Sequence, residues 1–364
     1  MNRNIILGAV IAIIVISLLG VFFYNYYSQG NNSAPTTSSS SPSSKPSPQG
    51  LLVISIADAY KGEGDSLGKA FQSLTGVQYT VASSGSFALA RQIASGSLST
   101  TVFIPVADSA AFPKFMGNYS PGWVIGLATD QMVIAYSNQT LRNPTAAKII
   151  QLFNESLKTN SSQLYFYAFG NLTSGQVKVG ISNPLLDPAG YRGWLVLQMA
   201  GYLYAKNESY FVDRMLNNGG NVTAAHAADL IPGLQTGQIQ FLFIYKSAAV
   251  AQGLKYIQLP PQLNLGDPKY SSFYSQFQYK AGNTVLKGGL IVLWITIPKN
   301  SNNPNLAVSF VNFTLNHLDI LASYGLTPLQ KPILEIWVPQ NELPPFVQSL
   351  INSGKVQVVQ VNPS

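Results

Sequence analysis

The chain of 364 residues contains no cysteine and two histidines, His226 and His317. The first absence excludes disulfides, thiolate metal sites, a Cys nucleophile and a Cys-anchored lipid. The second leaves too few ligands for a multi-histidine metal centre. Charge is scarce as well: 10% of the residues are Asp, Glu, Lys or Arg, where a soluble domain carries roughly 25%. The net charge of +7 comes from 14 acids against 21 bases, so it reflects few acids rather than many bases. No run of Lys and Arg occurs, which gives nucleic-acid binding no footing. Nucleophile-elbow, P-loop and dinucleotide fingerprints are missing, so no enzyme class is indicated and no cofactor is expected.

What is present begins with an apolar run, Ile5 to Phe23, preceded by Arg3 and followed by Tyr24, Tyr26 and Tyr27. Its roughly 19 residues span about 30 Å as a helix, the thickness of a bilayer core. Residues 1–27 therefore read as a membrane anchor with a cytoplasmic N-terminus, with a cleaved signal peptide as the rival reading. Residues 28–50 are rich in Ser, Thr, Pro, Asn and Gln, with Lys45 the only charge. Such a segment cannot bury enough apolar surface to fold and reads as a flexible stalk. Glycosylation sequons stand at Asn31, Asn118, Asn138, Asn154, Asn160, Asn171, Asn207, Asn221 and Asn312. Together these features predict an outward-facing body held at the cell membrane.

From Leu51 the pattern predicts strands over 51–56, 77–82, 102–106, 132–136, 177–181, 241–245 and 290–298. Helical spacing occupies 66–74, the stretch from Phe87, 306–316 and 345–351, with Asp58, Gly62 and Gly64 breaking the first strand. Alternation of strand and helix predicts an α/β fold with a mainly parallel sheet covered on both faces. The aromatic stripe Tyr165 to Phe169 reads as core.

In such sheets ligands lie beyond the carboxyl ends of strands. Asp58–Ala59, Gly85–Ser86 and the stretch SNPLLDPAGYR at 182–192 occupy such places. The N-terminus of a helix offers free N–H groups to an anion. Each stretch also has a structural reading: a turn and cap at Gly85–Ser86, a Pro-rich turn with Asp187 as an N-cap. Tyr245–Lys246 suits a solvated strand end, and His226 a surface or packing histidine. Lys61, Lys69, Lys246 and Lys255 suit either a cleft or a scattered surface.

Five stretches, taken in order, resemble the archaeal-type tungstate/molybdate-binding proteins of ABC importers. They are VASSGSFALARQI (81–93), LATDQMVIAYSN (127–138), SNPLLDPAGYRGWLVLQMA (182–200), FIYKSAAVAQGLKYIQLPPQLNLGDP (243–268) and ITIPKN (295–300). The resemblance implies a two-lobed, hinged periplasmic-binding-protein type II fold, one lobe of residues 51–128 plus 283–364 and the other of 129–282. It implies a monomer that closes on molybdate or tungstate and delivers it to an ABC permease and its ATPase, without catalysis. Carried over position by position, the ligand would meet Asp58, Ala59, Ser86, Leu185, Leu186, Asp187 and Tyr245. Ser86 and Tyr245 would give hydroxyls, and backbone N–H groups at 58–59 and 185–187 would surround the other oxygens. Asp187 would reach the metal of the oxyanion, while Tyr191 and Arg192 would steady the loop.

The chain departs from the family in two places. Asp58–Ala59 stands where the family has Gly-Ser, which removes one hydroxyl and adds an acid that must turn away or be protonated. The family's second metal-facing carboxylate falls on Ala227, with Asp229 the nearest acid. A purely tetrahedral cage would follow, and with it sulfate, phosphate or another oxyanion becomes an alternative ligand. A surface sensor or adhesive domain that has lost transport is the alternative from another class.

Overall fold

The computed structural model describes residues 50–363. The expected anchor at 1–27, nearly all of the stalk and the Asn31 sequon lie outside them. Among the described residues no helix is long and apolar enough to cross a membrane. Of the remaining sequons, Asn118, Asn138, Asn154, Asn160, Asn207 and Asn312 are exposed and Asn171 and Asn221 half-buried.

β1 (Leu52–Ala57) is buried along nearly its whole length. It lies parallel between β2 (Tyr79–Ser84) and β3 (Val102–Ile104). Between β1 and β2 runs α1 (Lys61–Thr75), which starts five residues before the helical spacing predicted. The strand does end before Asp58, and Gly62 and Gly64, expected to break it, are inside this helix. A Cβ on Gly64 would stand 3.1 Å from Ile56, and one on Gly68 2.3 Å from Tyr79. The glycines let the helix lie close on the sheet, a packing role that outweighs their low helix propensity. After β2 comes α2 (Ser86–Ala94).

β4 (Trp123–Asp130) and β5 (Met132–Tyr136) are separated by Gln131 alone, yet they enter different sheets. β5 is followed by α3 (Pro144–Thr159), α4 (Ser162–Leu172), β6 (Val179–Gly180), α5 (Pro188–Ala200), α6 (Tyr210–Asn217) and β7 (Asn221–Val222). β8 (Phe241–Tyr245), α7 (Lys246–Ala251) and β9 (Lys255–Gln258) complete this part. Its strands form one sheet in the order β7-β6-β8-β5-β9, with β6 parallel to β7 and β8 and β5 antiparallel to β8 and β9. Tyr165 and Phe169 are on the buried face of α4, with Phe169 edge-on to Phe153, whereas Tyr167 of the same stripe is exposed.

A hairpin of β10 (Gln278–Ala281) and β11 (Thr284–Lys287) leads to β12 (Ile291–Ile295), α8 (Pro304–Asn316) and β13 (Thr327–Ile336). α9 (Pro345–Asn352) and β14 (Gln357–Gln360) end the chain. These strands and β4 form a sheet in the order β12-β4-β13-β14, antiparallel except for β13 with β14. An isolated bridge from Phe103 to Thr296 ties it to the β1 sheet. The expected parallel pairing holds for β2-β1-β3, whereas the sheets that contain β4 and β5 are mixed. The antiparallel pairs of β4 with β12 and β13, and of β5 with β8 and β9, join strands far apart in the chain, whose relative direction local hydropathy does not record. β13 escapes the hydropathy pattern because Pro328 and Pro332 interrupt it; the ladder to β4 breaks between Pro328 and Ile333 to accommodate them.

Candidate functional site

β1 ends in a single tight turn, Asp58–Tyr60. The Ala59 N–H donates to Asp58 Oδ1 at 2.9 Å. Asp58 Oδ2 is out of contact with solvent and has no partner. Burial, then the nearby Asp187 and Asp229 charges, push the Asp58 carboxyl up to about 8.

β2 ends beside it, and the chain turns through Gly85 into α2. Ser86 is fully buried. Its Oγ accepts from the Val106 N–H at 3.1 Å, which leaves the hydroxyl proton to donate. Gly85 has an ordinary φ of −57°; its requirement is space. A Cβ there would lie 2.2 Å from the Leu186 carbonyl oxygen and 2.9 Å from the His226 ring.

The stretch 182–187 thus meets the end of β2 directly, and its fold is set by Asn183. The Leu185 N–H donates to Asn183 Oδ1, and the Leu186 and Asp187 N–H groups donate to the Asn183 carbonyl. The N–H groups expected to surround an anion at 185–187 are therefore spent inside the turn, and the Ala59 N–H is spent on Asp58. Asp187 caps α5, with Pro188 as the first helical residue. Its Oδ1 accepts from Ala189 N–H at 3.0 Å and its Oδ2 from Ala227 N–H at 2.9 Å. The side chain is buried, so Asp187 both starts the helix and clamps the 227 loop.

Tyr245 ends β8 and is fully buried. Arg192 of α5 donates through Nη1 to the Tyr245 hydroxyl at 2.7 Å and through Nη2 to the Val106 carbonyl at 2.9 Å. Its guanidinium lies over the Tyr191 and Tyr245 rings, 5.3 and 5.6 Å from their centroids. Among the described residues no carboxylate forms an ion pair with it. Val106 therefore serves twice, giving its N–H to Ser86 and its carbonyl to Arg192. The resemblance implied a loop-steadying role for Arg192; its place against Tyr245 sets a buried cation on Val106, the residue that also bonds Ser86.

Two further sets of contacts escaped sequence reading. Ser84 Oγ lies 3.2 Å from His226 Nε2, and His226 Nδ1 lies 3.3 Å from Asp229 Oδ2. His226 thus meets Ser84, not Ser86, and joins the end of β2 to the turn after β7. Beneath the site, Asp130 at the end of β4 accepts from the Tyr60 hydroxyl at 2.8 Å and from the Ser247 hydroxyl. Tyr60 in turn leans on Tyr245, with ring centroids 5.6 Å apart. A lone Asp closing an eight-residue buried strand was the available signal, because a buried carboxylate requires partners.

Residues 52–327 match the model of the bacterial extracellular solute-binding proteins. The chain belongs to that family. Relatives include a solute-binding protein of Sulfurisphaera tokodaii, 40% identical over 318 residues, covering 86% of this chain and 84% of the relative. The molybdate/tungstate-binding protein WtpA of Pyrococcus abyssi is 30% identical over 268 residues, 64% of this chain and 73% of that protein. Among solved structures, the periplasmic molybdate-binding protein of Azotobacter vinelandii superposes with a TM-score of 0.54 at 17% identity. It covers 77% of this chain and all (100%) of that one. The sulfate-binding protein SubI of Mycobacterium tuberculosis gives 0.51 at 11% identity, covering 86% and 96%. These likenesses establish a periplasmic-binding-protein-like α/β fold for this solute-binding protein. A molybdate/tungstate-binding protein, of the kind that the sequence resembles, is thus among the relatives.

Proposed function

We propose that this solute-binding protein captures a tetrahedral oxyanion, molybdate or tungstate first, and delivers it from the outer surface to an ABC permease. One observation carries the reading. Buried Ser86, Tyr245 and Arg192 converge through Val106 beyond the ends of strands from two different sheets. Ser86 and Tyr245 each keep a hydroxyl proton, the first two residues of α2 have N–H groups without helical partners, and Arg192 supplies positive charge. In this reading the lobes are 51–128 plus 283–364 and 129–282. The sheet built wholly from residues 132–258 supports that division. Contacts between Arg91 and the Leu185 carbonyl, Ser84 and His226, and Arg192 and Val106 would then cross the cleft of a closed form. Closure by ligand and recognition of the closed form is the usual logic of such hinged proteins.

The choice of anion has a specific counter-observation. At Ala227, where the resembling family carries a second carboxylate, this chain instead gives a backbone N–H to Asp187. Each Asp187 oxygen already accepts one hydrogen bond, so we assign it the cap and clamp rather than coordination of tungsten or molybdenum. A tetrahedral cage follows, and sulfate becomes the competing ligand. Calorimetric titration of the purified protein with tungstate, molybdate and sulfate tests both statements. Binding of tungstate that is lost in Ser86→Ala and survives excess sulfate supports the first reading. Displacement by sulfate favours the second, and absence of binding to all three defeats the oxyanion assignment.

A further inference from the structure

Asp58 is the residue that the oxyanion reading absorbs least easily. It stands at the end of β1 where the resembling family has glycine, and a dianion beside an ionised, poorly solvated carboxylate would be repelled. Its two oxygens are unlike. Oδ1 accepts from Ala59 N–H, while Oδ2 is inaccessible to solvent and without a partner. A buried polar atom left unpaired is costly unless something completes it.

The groups facing it narrow the choice. Facing it, both Asp187 oxygens already accept, from the Ala189 and Ala227 N–H groups. Asp229 faces His226 through Oδ2. On the turn of Asp58 itself, Tyr60 gives its hydroxyl to Asp130, and Glu63, early in α1, is buried with both oxygens unpartnered. Lys61 is exposed, and Lys246, opening the helix packed on this turn, extends its chain toward Gly325. Arg192 is committed to Tyr245 and Val106. Asp58 Oδ2, at the end of β1, is thus a buried, unpartnered carboxyl oxygen able to carry a proton into the site, while the unpartnered oxygens of Glu63 belong to α1.

We propose that Asp58 enters the site as a neutral acid whose Oδ2–H donates to the bound oxyanion, so that each dianion is held together with one proton. This rests on the oxyanion reading above and deepens it. The residue replaces the hydroxyl that Ala59 lacks, and it makes capture depend on pH. Burial and the Asp187 charge, which push the carboxyl up to about 8, place the dependence. Below that value the proton is already present and affinity is level. Above it, binding must recruit the proton, and affinity falls about tenfold per pH unit.

The test is calorimetry with tungstate and with sulfate from pH 6 to 9.5, repeated in buffers of different ionisation enthalpy to count protons. The wild-type protein is expected to take up almost no proton per anion at pH 6 and about one at pH 9. Asp58→Asn, which keeps an N–H donor and cannot titrate, is expected to bind with no proton uptake and a level pH profile. Wild-type binding that is level to pH 9.5 with no uptake would overturn the proposal and leave the oxyanion reading standing. An uptake that persists in Asp58→Asn would assign the proton to another group, His226 first, and would equally overturn it. Failure of folded wild-type and Asp58→Asn proteins to bind either anion at any pH removes both readings together.

Discussion

Arg192 shows how much one side chain can decide. Burial alone would weaken its charged form, yet Tyr191 and Tyr245 beside it outweigh that and hold its pKa above the ordinary value. Its planar fork reaches two acceptors on different elements at once, which a lysine ammonium cannot reproduce with the same geometry. Arg192→Lys is therefore expected to weaken oxyanion affinity about tenfold to a hundredfold while leaving the circular dichroism spectrum intact; calorimetry beside spectroscopy checks both parts. His226 invites a different reading, since Ser84, His226 and Asp229 stand in the order of a hydrolytic triad. The acid of that row is half exposed, 51% by side chain, and its Oδ2 also accepts from the His226 N–H. Such an acid does not hold the imidazole in the manner of a buried triad aspartate, so the row is read as a contact between β2 and the 226–230 turn.

At the scale of elements, the start of α5 carries the site's architecture. Asp187 caps the helix, Pro188 fixes its first residue, and Gly190 lets it pack against the preceding turn, where a Cβ would stand 2.1 Å from the Ser182 carbonyl oxygen. The helix so placed aims Arg192 at β8. Removing the cap strands two buried N–H groups, those of Ala189 and Ala227. Asp187→Ala is expected to lower unfolding free energy by about 2–4 kcal/mol, read from urea denaturation, with Asp187→Asn recovering part of it. Much of this element was legible: the stretch 182–192 announces a turn, a cap and a helix start through Asn183, Asp187, Pro188 and Gly190. What was illegible is the partner of the second carboxylate oxygen, because the Ala227 N–H comes from forty residues away and a backbone donor leaves no mark on residue type.

For the whole molecule, scarce charge has a thermodynamic consequence. The carboxyl of Glu63, fully buried with both oxygens unpartnered, is pushed up to about 8, first by burial. Glu335, beside Asp108, is pushed up to about 9, again first by burial. Folded pKa values above the ordinary 4.5 mean that the native chain keeps protons that the unfolded chain releases. The stabilising contribution is complete below about pH 4.5 and is lost as pH rises through about 8 to 9. Each such proton makes stability fall by about 1.4 kcal/mol per pH unit inside that window. Glu63→Gln is accordingly expected to flatten the slope between pH 5.5 and 7.5 by about that amount, as measured by denaturant titration at several pH values. An unchanged slope would show that Glu63 is ionised or solvated in the native protein.

The sequence by itself determined the class of fold, the buried strands, the short list of strand-end residues and the solute-binding resemblance. These rest on hydropathy period, turn chemistry and ordered motifs, all of them local along the chain. Tertiary structure alone decided that β4 and β5 part into separate sheets, that Gly64 and Gly68 serve close packing, and that Val106 links Ser86 to Arg192. It also decided which carboxyl oxygens are occupied and which, on Asp58, Glu63 and Glu335, are left without a partner. Those outcomes depend on atoms brought together across long stretches of chain, and the free energy of a buried polar group is set by such neighbours rather than by its own identity.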